Sequence, residues 1–194
     1  MNINVARTPD AIEAASQRLS SAGVLGCDTE TSALHPRFGK LYSIQFSDGD
    51  FNLLVPLSEG ISVGALSGLL ADPAIVKVFH NARFDLEFLT AAGVEVNNIF
   101  DTMIAEKVLT KGAKQSASLA ETLYRYFAVD LDKSQRKTFG RGWDGVWSDD
   151  LVNYALSDVV HLPRLMREQT DWLEKIGLTE EFATHMAKIV SLNS

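Results

Sequence analysis

A single cysteine among 194 residues excludes an internal disulfide and any metal centre built on several thiolates, and it fits a reducing, cytoplasmic setting. That residue, Cys27, lies in an apolar run and reads as core packing. No stretch approaches the length of a membrane span, and Met1 to Asp10 lack the basic start and apolar centre of an export signal. No membrane partner is therefore expected. Positive charge is scarce as well: 18 Lys and Arg against 25 Asp and Glu leave a net charge of −7, which by itself disfavours a polyanionic partner. What remains is an ordinary globular composition, 46% hydrophobic and 22% charged, in a length suited to one domain over residues 1–194.

The cations are not spread evenly. Between Lys107 and Arg141 stand Lys107, Lys111, Lys114, Arg125, Lys133, Arg136, Lys137 and Arg141, against only Glu121, Asp130 and Asp132. A basic segment on an acidic body can mark a rim that binds phosphate; a solvated helix face with a loop is the plainer reading.

Periodicity and turn residues sketch the fold. Residues 2–5 form a candidate edge strand. Thr8 and Pro9 open a helix to about Ser21, with Gly23 as its stop. Strand patterns follow at Val24–Thr29, Leu41–Ser47 and Phe51–Val55, with Asp48-Gly49 turning between the last two, a meander of antiparallel strands. Helix and strand then alternate: helix Val63–Leu70, strand Ile75–Phe79, helix Ala82–Ala92 closed by Gly93, strand Asn98–Phe100, helix from Thr102 to about Leu109. After a loop at Gly112–Ser118 come helix Leu119–Phe127 and an irregular, glycine-bearing stretch, Lys133–Gly145. Ser148 caps a helix through Arg167 that Pro163 should kink or divide, and Trp172–Val190 adds closing turns. Hairpins followed by β-α-β units predict an α/β fold whose mixed sheet, antiparallel meander plus parallel strands, is flanked by helices.

Three short patterns carry chemistry. In Val24-Leu25-Gly26-Cys27-Asp28-Thr29-Glu30-Thr31, a buried strand ends with carboxylates at alternate positions, so Asp28 and Glu30 share one face. Two carboxylates that close repel unless a cation sits between them, and hard oxygen donors suit Mg²⁺ or Mn²⁺; two solvated acids at a strand end are the plainer alternative. In His80-Asn81-Ala82-Arg83-Phe84-Asp85 a strand delivers the chain to a helix, and a spacing of four predicts that Asn81 and Asp85 share a helical face. Asp85 alone could be an acid favoured by the helix dipole, and His80 reads as a satisfied polar residue. Tyr154 and Asp158 likewise stand four apart, a spacing that a structural hydrogen-bonding pair would also use. Asp101 precedes a helix and reads as its N-cap rather than a metal ligand.

In order, Asp28-x-Glu30, Asn81-x-x-Phe84-Asp85 and Tyr154-x-x-x-Asp158 resemble the DEDD superfamily of 3′→5′ exonucleases in its tyrosine subclass; the histidine subclass would place His where Asn153 stands. The further run Phe100-Asp101-Thr102, Ala105, Ser118-Leu119, Asp132-Lys133-Ser134 and Trp147 is similar to ribonuclease D, and the likeness covers roughly Gly23 to Leu165. It implies a ribonuclease H-like fold and a catalytic domain without the helical nucleic-acid-binding domains that ribonuclease D normally carries.

The resemblance also implies a mechanism. Asp28 would bridge two divalent ions, Mg²⁺ or Mn²⁺, with Glu30 and Asp158 completing one site and Asp85 holding the other largely through water. Tyr154 would hydrogen-bond the attacking water without ionising, since a phenol with a pKa of about 10 is a poor base at neutral pH. Thr31, Leu34, Asn81 and Phe84 match positions that hold the last nucleotides; a core role is the competing reading for Leu34 and Phe84. Lys133, Arg136, Lys137 and Arg141 are the candidate phosphate contacts. The expected partner is a single-stranded 3′ end, RNA foremost and DNA as the alternative. A non-catalytic scaffold is the rival of another class, and its mark would be loss of a carboxylate or of the tyrosine; all five are present.

Overall fold

The computed structural model of the protein describes residues 2–111, 113–132, 134–140 and 142–190, with the backbone alone at Arg136 and Val190. Six strands, β1 (Asn2–Val5), β2 (Val24–Thr31), β3 (Leu41–Ser47), β4 (Phe51–Val55), β5 (Val76–Phe79) and β6 (Ile99–Asp101), form one sheet in the order β1-β4-β3-β2-β5-β6. The meander β2-β3-β4 is antiparallel, while β1 joins β4, and β5 joins β2 and β6, in parallel. Strand β2 is thus central, with an antiparallel neighbour on one side and a parallel one on the other. This is the mixed sheet expected from hairpins followed by crossover units.

The helices cover both faces. One layer holds α1 (Pro9–Leu19), α2 (Leu66–Ala71) and α3 (Ala82–Ala91), whose Ile12, Leu19, Leu70, Leu86 and Leu89 pack with Leu25 and Cys27 of β2. The other holds α4 (Thr102–Thr110), α6 (Asp149–Ser157) and α7 (Leu162–Lys175), which bury Ala105, Leu156 and Leu162 against Val78 and Leu54. Helices α5 (Leu119–Phe127) and α8 (Thr179–Val190) complete the chain. Cys27 is fully buried, and burial pushes its thiol pKa up, which suits a packing residue rather than a nucleophile.

Two local details depart from expectation and a third, the division expected from Pro163, falls just before it, each for a physical reason. Helix α1 starts as read, Thr8 accepting from the Ala11 N–H, but it ends four residues before Gly23, where the Ala22 N–H turns back to the Leu19 carbonyl. Helix α3 begins at Ala82, leaving Asn81 outside it at φ 71°, ψ 51°, in the left-handed region that Asn tolerates better than most residues. The long helix through Arg167 is divided, but over residues 158–161, before Pro163. Proline has no N–H to give to the Val159 carbonyl four residues back, so that carbonyl instead accepts from the Leu162 N–H at 3.1 Å and α7 restarts with Pro163 in its first turn.

Candidate active site

The freed Val159 carbonyl decides where the α6–α7 turn sits. A Cβ on Gly26 would lie 2.6 Å from it and 3.0 Å from the Leu162 Cβ; only glycine lets the turn settle directly on β2. Alternation then puts Asp28 and Glu30 on the same face as Gly26, and Asp158, the C-cap of α6, meets them there. One carboxylate oxygen from each of Asp28, Glu30 and Asp158 lies within 4.8 Å of the other two. Thr29 points to the opposite layer, where its hydroxyl donates to the Asp85 carboxylate at 2.7 Å. Asp85 is only 2% exposed and approaches from α3, so the site straddles the end of β2 where the two helical layers converge. The four carboxylates and Tyr154 line one cavity of about 520 Å³.

So many acids in one cavity are electrostatically expensive. Burial, followed by the charges of Asp85, Asp158 and Glu30, pushes the Asp28 carboxyl well above the usual carboxylate range. Burial raises Asp85 to about 7, against the opposing hydrogen bond from Thr29. A divalent cation is the group that would relieve this repulsion. The donors are carboxylate oxygens without a sulfur or imidazole in the group, so they fit a hard ion such as Mg²⁺ rather than zinc.

Thr31, Leu34, Asn81 and Phe84 also line the cavity. Leu34 is 85% exposed, which overturns its reading as a core residue. Phe84 is half-buried, with its ring 5.3 Å from that of Phe88, so it packs on one side and faces the cavity on the other. Asn81 and Asp85 do not share a helical face, because Asn81 precedes the helix; the left-handed turn nevertheless leaves both on the cavity wall. The Thr31 hydroxyl donates to the Ala33 carbonyl at 2.9 Å and braces the start of the following loop.

The basic stretch is less uniform than its composition suggested. Arg125 pairs with the buried Glu106 at 2.9 Å and Lys111 pairs with Glu181 at 2.8 Å, so those two cations brace the fold. Lys133 and Arg141 lie outside the described residues, as does the Arg136 side chain. Lys137 is exposed in a 3₁₀ turn, Ser134–Lys137, and is not among the residues that line the cavity. The segment is tethered beside the site by Phe139, which is buried among Trp143, Trp147 and Tyr154, its ring 5.9 Å from the tyrosine's. The Tyr42 hydroxyl adds a bond to the Gly140 carbonyl at 3.1 Å.

Thr29 escaped the motif reading, and Asp101, the N-cap it was read to be, does more than cap one helix. Thr29 holds Asp85 from the far face of β2, a contact across 56 residues that no local pattern signals. Asp101 is the N-cap of α4, accepting from Met103 and Ile104, and it also accepts the Asn81 and Ala82 N–H groups at 3.1 and 2.8 Å. One buried carboxylate therefore fixes the start of two helices, including the one that carries Asp85. His80 lines the cavity with Nδ1 2.9 Å from the Thr102 hydroxyl, and burial lowers its pKa to about 4, so it stands neutral.

A family model described as 3′–5′ exonuclease matches residues 3–173. The chain belongs to that family. Ribonuclease D of Jannaschia sp. is 34% identical to it over 185 residues, 87% of this chain and 46% of the relative. DNA polymerase I of Aquifex aeolicus is 29% identical over 189 residues, 95% of this chain and 31% of the relative. The chain thus spans about half or less of the length of these curated relatives. Mg²⁺-bound NrnC of Brucella melitensis superposes with a TM-score of 0.79 at 28% identity, covering 97% of this chain and 90% of that one. The sheet order and flanking layers are those of the ribonuclease H-like fold. Among the described residues, no helix is long and apolar enough to cross a membrane.

Proposed function

We propose that this exonuclease removes nucleoside monophosphates one at a time from single-stranded 3′ ends, RNA foremost, using two divalent ions, Mg²⁺ or Mn²⁺. The observation that carries the reading is the convergence of Asp28, Glu30 and Asp158 within 4.8 Å, beside Tyr154 and Asp85 in one open cavity. Asp28, Glu30 and Asp158 would hold one ion, and Asp28 with Asp85 the second. Bound there, such ions supply Lewis acidity toward the scissile phosphate and lower the pKa of water.

The remaining chemistry belongs to the side chains. Tyr154 orients the attacking water by a hydrogen bond, its ring held by Phe139. Thr29 keeps one Asp85 oxygen occupied, so that the carboxylate presents its other oxygen in a single orientation. Leu34, exposed at the cavity mouth, wedges against the terminal base, with Phe84 and Asn81 holding the nucleotide by stacking and hydrogen bonding without reading sequence. Lys133, Arg136, Lys137 and Arg141 are assigned to the phosphate backbone on charge alone. A single buried thiol suits action in the cytoplasm.

RNA ranks first because the Jannaschia relative carries the name ribonuclease D. The match to a DNA polymerase I favours DNA as the second reading. The test is digestion of 5′-labelled RNA and DNA of one sequence, with and without EDTA, resolved on a denaturing gel. A ladder shortening from the 3′ end, abolished by EDTA and by Asp28→Ala, is expected. Full activity in Asp28→Ala would refute the assignment.

A further inference from the structure

Outside the carboxylate cluster, the loop between β2 and β3 carries the two most exposed large apolar side chains among the described residues, Leu34 at 85% and Phe38 at 64%. Leu34 lines the cavity; Phe38, four residues on in the same loop, does not. This loop is built rather than slack. Its neck is closed by the Ser32 N–H on the Lys40 carbonyl at 3.0 Å and the Lys40 N–H on the Ser32 hydroxyl at 2.7 Å. At its tip the Phe38 N–H donates to the His35 carbonyl at 3.0 Å, a turn that the Arg37 N–H on His35 Nδ1 reinforces at 3.1 Å. Gly39 then passes so near Ala33 that a Cβ there would lie 2.9 Å from the alanine's and 3.3 Å from the Phe88 ring. The backbone is thus held so as to present Phe38 to solvent, its ring tilted against the His35 imidazole at 6.0 Å.

The charge on this loop runs against that of the protein. Arg37 and Lys40 flank Phe38, and no acid occurs between Thr31 and Ser47. Among the described residues neither cation enters an ion pair. An exposed aromatic ring between two cations outside any ion pair, on the same loop as the cavity-lining Leu34, is the composition of a platform for a single nucleic-acid strand: bases stack on the ring and phosphates meet the charges.

We propose that the β2–β3 loop is a further nucleotide-binding element, in which Phe38 stacks on a base 5′ of the terminal dinucleotide and Arg37 and Lys40 hold the adjoining phosphates. This rests on the nuclease reading. A strand whose 3′ end enters the carboxylate cavity passes Leu34 on its way out and reaches Phe38 next. The loop therefore gives the enzyme a preference for strands longer than two nucleotides, independent of sequence, because every base offers a π-face.

The test compares kcat/KM for an RNA dinucleotide and an RNA heptamer in saturating Mg²⁺, using the full chain and its Phe38→Ala, Phe38→Trp and Arg37→Ala/Lys40→Ala variants. The heptamer-to-dinucleotide ratio should fall about tenfold in Phe38→Ala, the equivalent of one lost base stack, and return in Phe38→Trp. In the double variant the heptamer KM should rise and lose part of its salt dependence. An unchanged ratio in Phe38→Ala, or a wild-type enzyme indifferent to length, overturns the platform while leaving the nuclease reading intact. A fall in molar mass of Phe38→Ala by light scattering also overturns it, because the patch would then contact a second copy of the chain. Failure of the wild type to degrade either RNA brings down the nuclease reading, and the platform with it.

Discussion

Replacing Asp85 with asparagine tests the metal role proposed for the carboxylate separately from what it costs the fold. Asp85 is buried beside Asp28, and its pKa is raised from an ordinary 3.8 to about 7. In the unfolded chain the group ionises near pH 4, whereas in the metal-free folded protein it holds its proton up to about pH 7. Stability is therefore lost as pH rises through that window and levels off above it. Three units at about 1.4 kcal/mol each set a ceiling of about 4 kcal/mol at pH 8. Asparagine has the same shape, can still accept the Thr29 hydroxyl, and carries no charge to repel Asp28. In EDTA at pH 8, Asp85→Asn should accordingly exceed wild type by about 2–4 kcal/mol, or about 5–15 °C in Tm for a domain of this size. The advantage should shrink steadily as the buffer is taken to pH 5. With saturating Mn²⁺ the wild type should gain more than the variant, and activity should be lost in the variant. The assay is thermal unfolding followed by circular dichroism over that pH range, with and without metal. A variant no more stable than wild type at pH 8 in EDTA, or a gain that does not change with pH, would refute the electrostatic account of this site.

Other consequences follow from single contacts. Tyr154→Phe should slow hydrolysis about ten- to a hundredfold, the loss of one positioning hydrogen bond, while Mn²⁺ affinity measured by calorimetry stays at the wild-type value. Gly26→Ala should cost about 1–3 kcal/mol in urea unfolding and should also weaken metal binding, because the Val159 carbonyl, 2.6 Å from the new Cβ, can yield only by carrying Asp158 with it. Asp101→Ala should destabilise by about 2–4 kcal/mol, since it strips the partners from N–H groups at the starts of both α3 and α4. Hydrogen exchange should locate that loss at residues 81–85 and 102–104 rather than throughout the protein.

The parts of this site that could be read in advance obey a local period. Asp28 and Glu30 share a face because strands alternate, and Tyr154 and Asp158 because helices repeat near four; both relations need only the residues between them. The meander and the crossover units were legible for the same reason, and Thr8, Asp101 and Ser148 cap the helices that they precede. Asn81 shows where such reasoning stops. Its spacing from Asp85 is helical, but its backbone turns left-handed because Asp101, twenty residues on, draws the Asn81 and Ala82 N–H groups toward one carboxylate. The basic stretch meets the same limit: charge composition cannot reveal that Glu106 already holds Arg125, or that Glu181 holds Lys111.

Proline and glycine supply the link between the two kinds of information. Pro163 reads as a break in a helix, and Gly26 as a small residue in a strand, yet neither explains the site alone. Together they do: the proline frees the Val159 carbonyl, and the glycine leaves the space in which the turn carrying that carbonyl rests on β2. Asp158 is thereby carried to Asp28 and Glu30 by backbone packing. Preorganisation of this kind predicts that the three carboxylates stay clustered in EDTA. Distances between spin labels on α6 and β3 should then change little on adding Mn²⁺ in the wild type and measurably in Gly26→Ala, where the cation must draw the displaced turn back. Equal responses in both proteins would mean that the metal, and not the glycine, assembles the site.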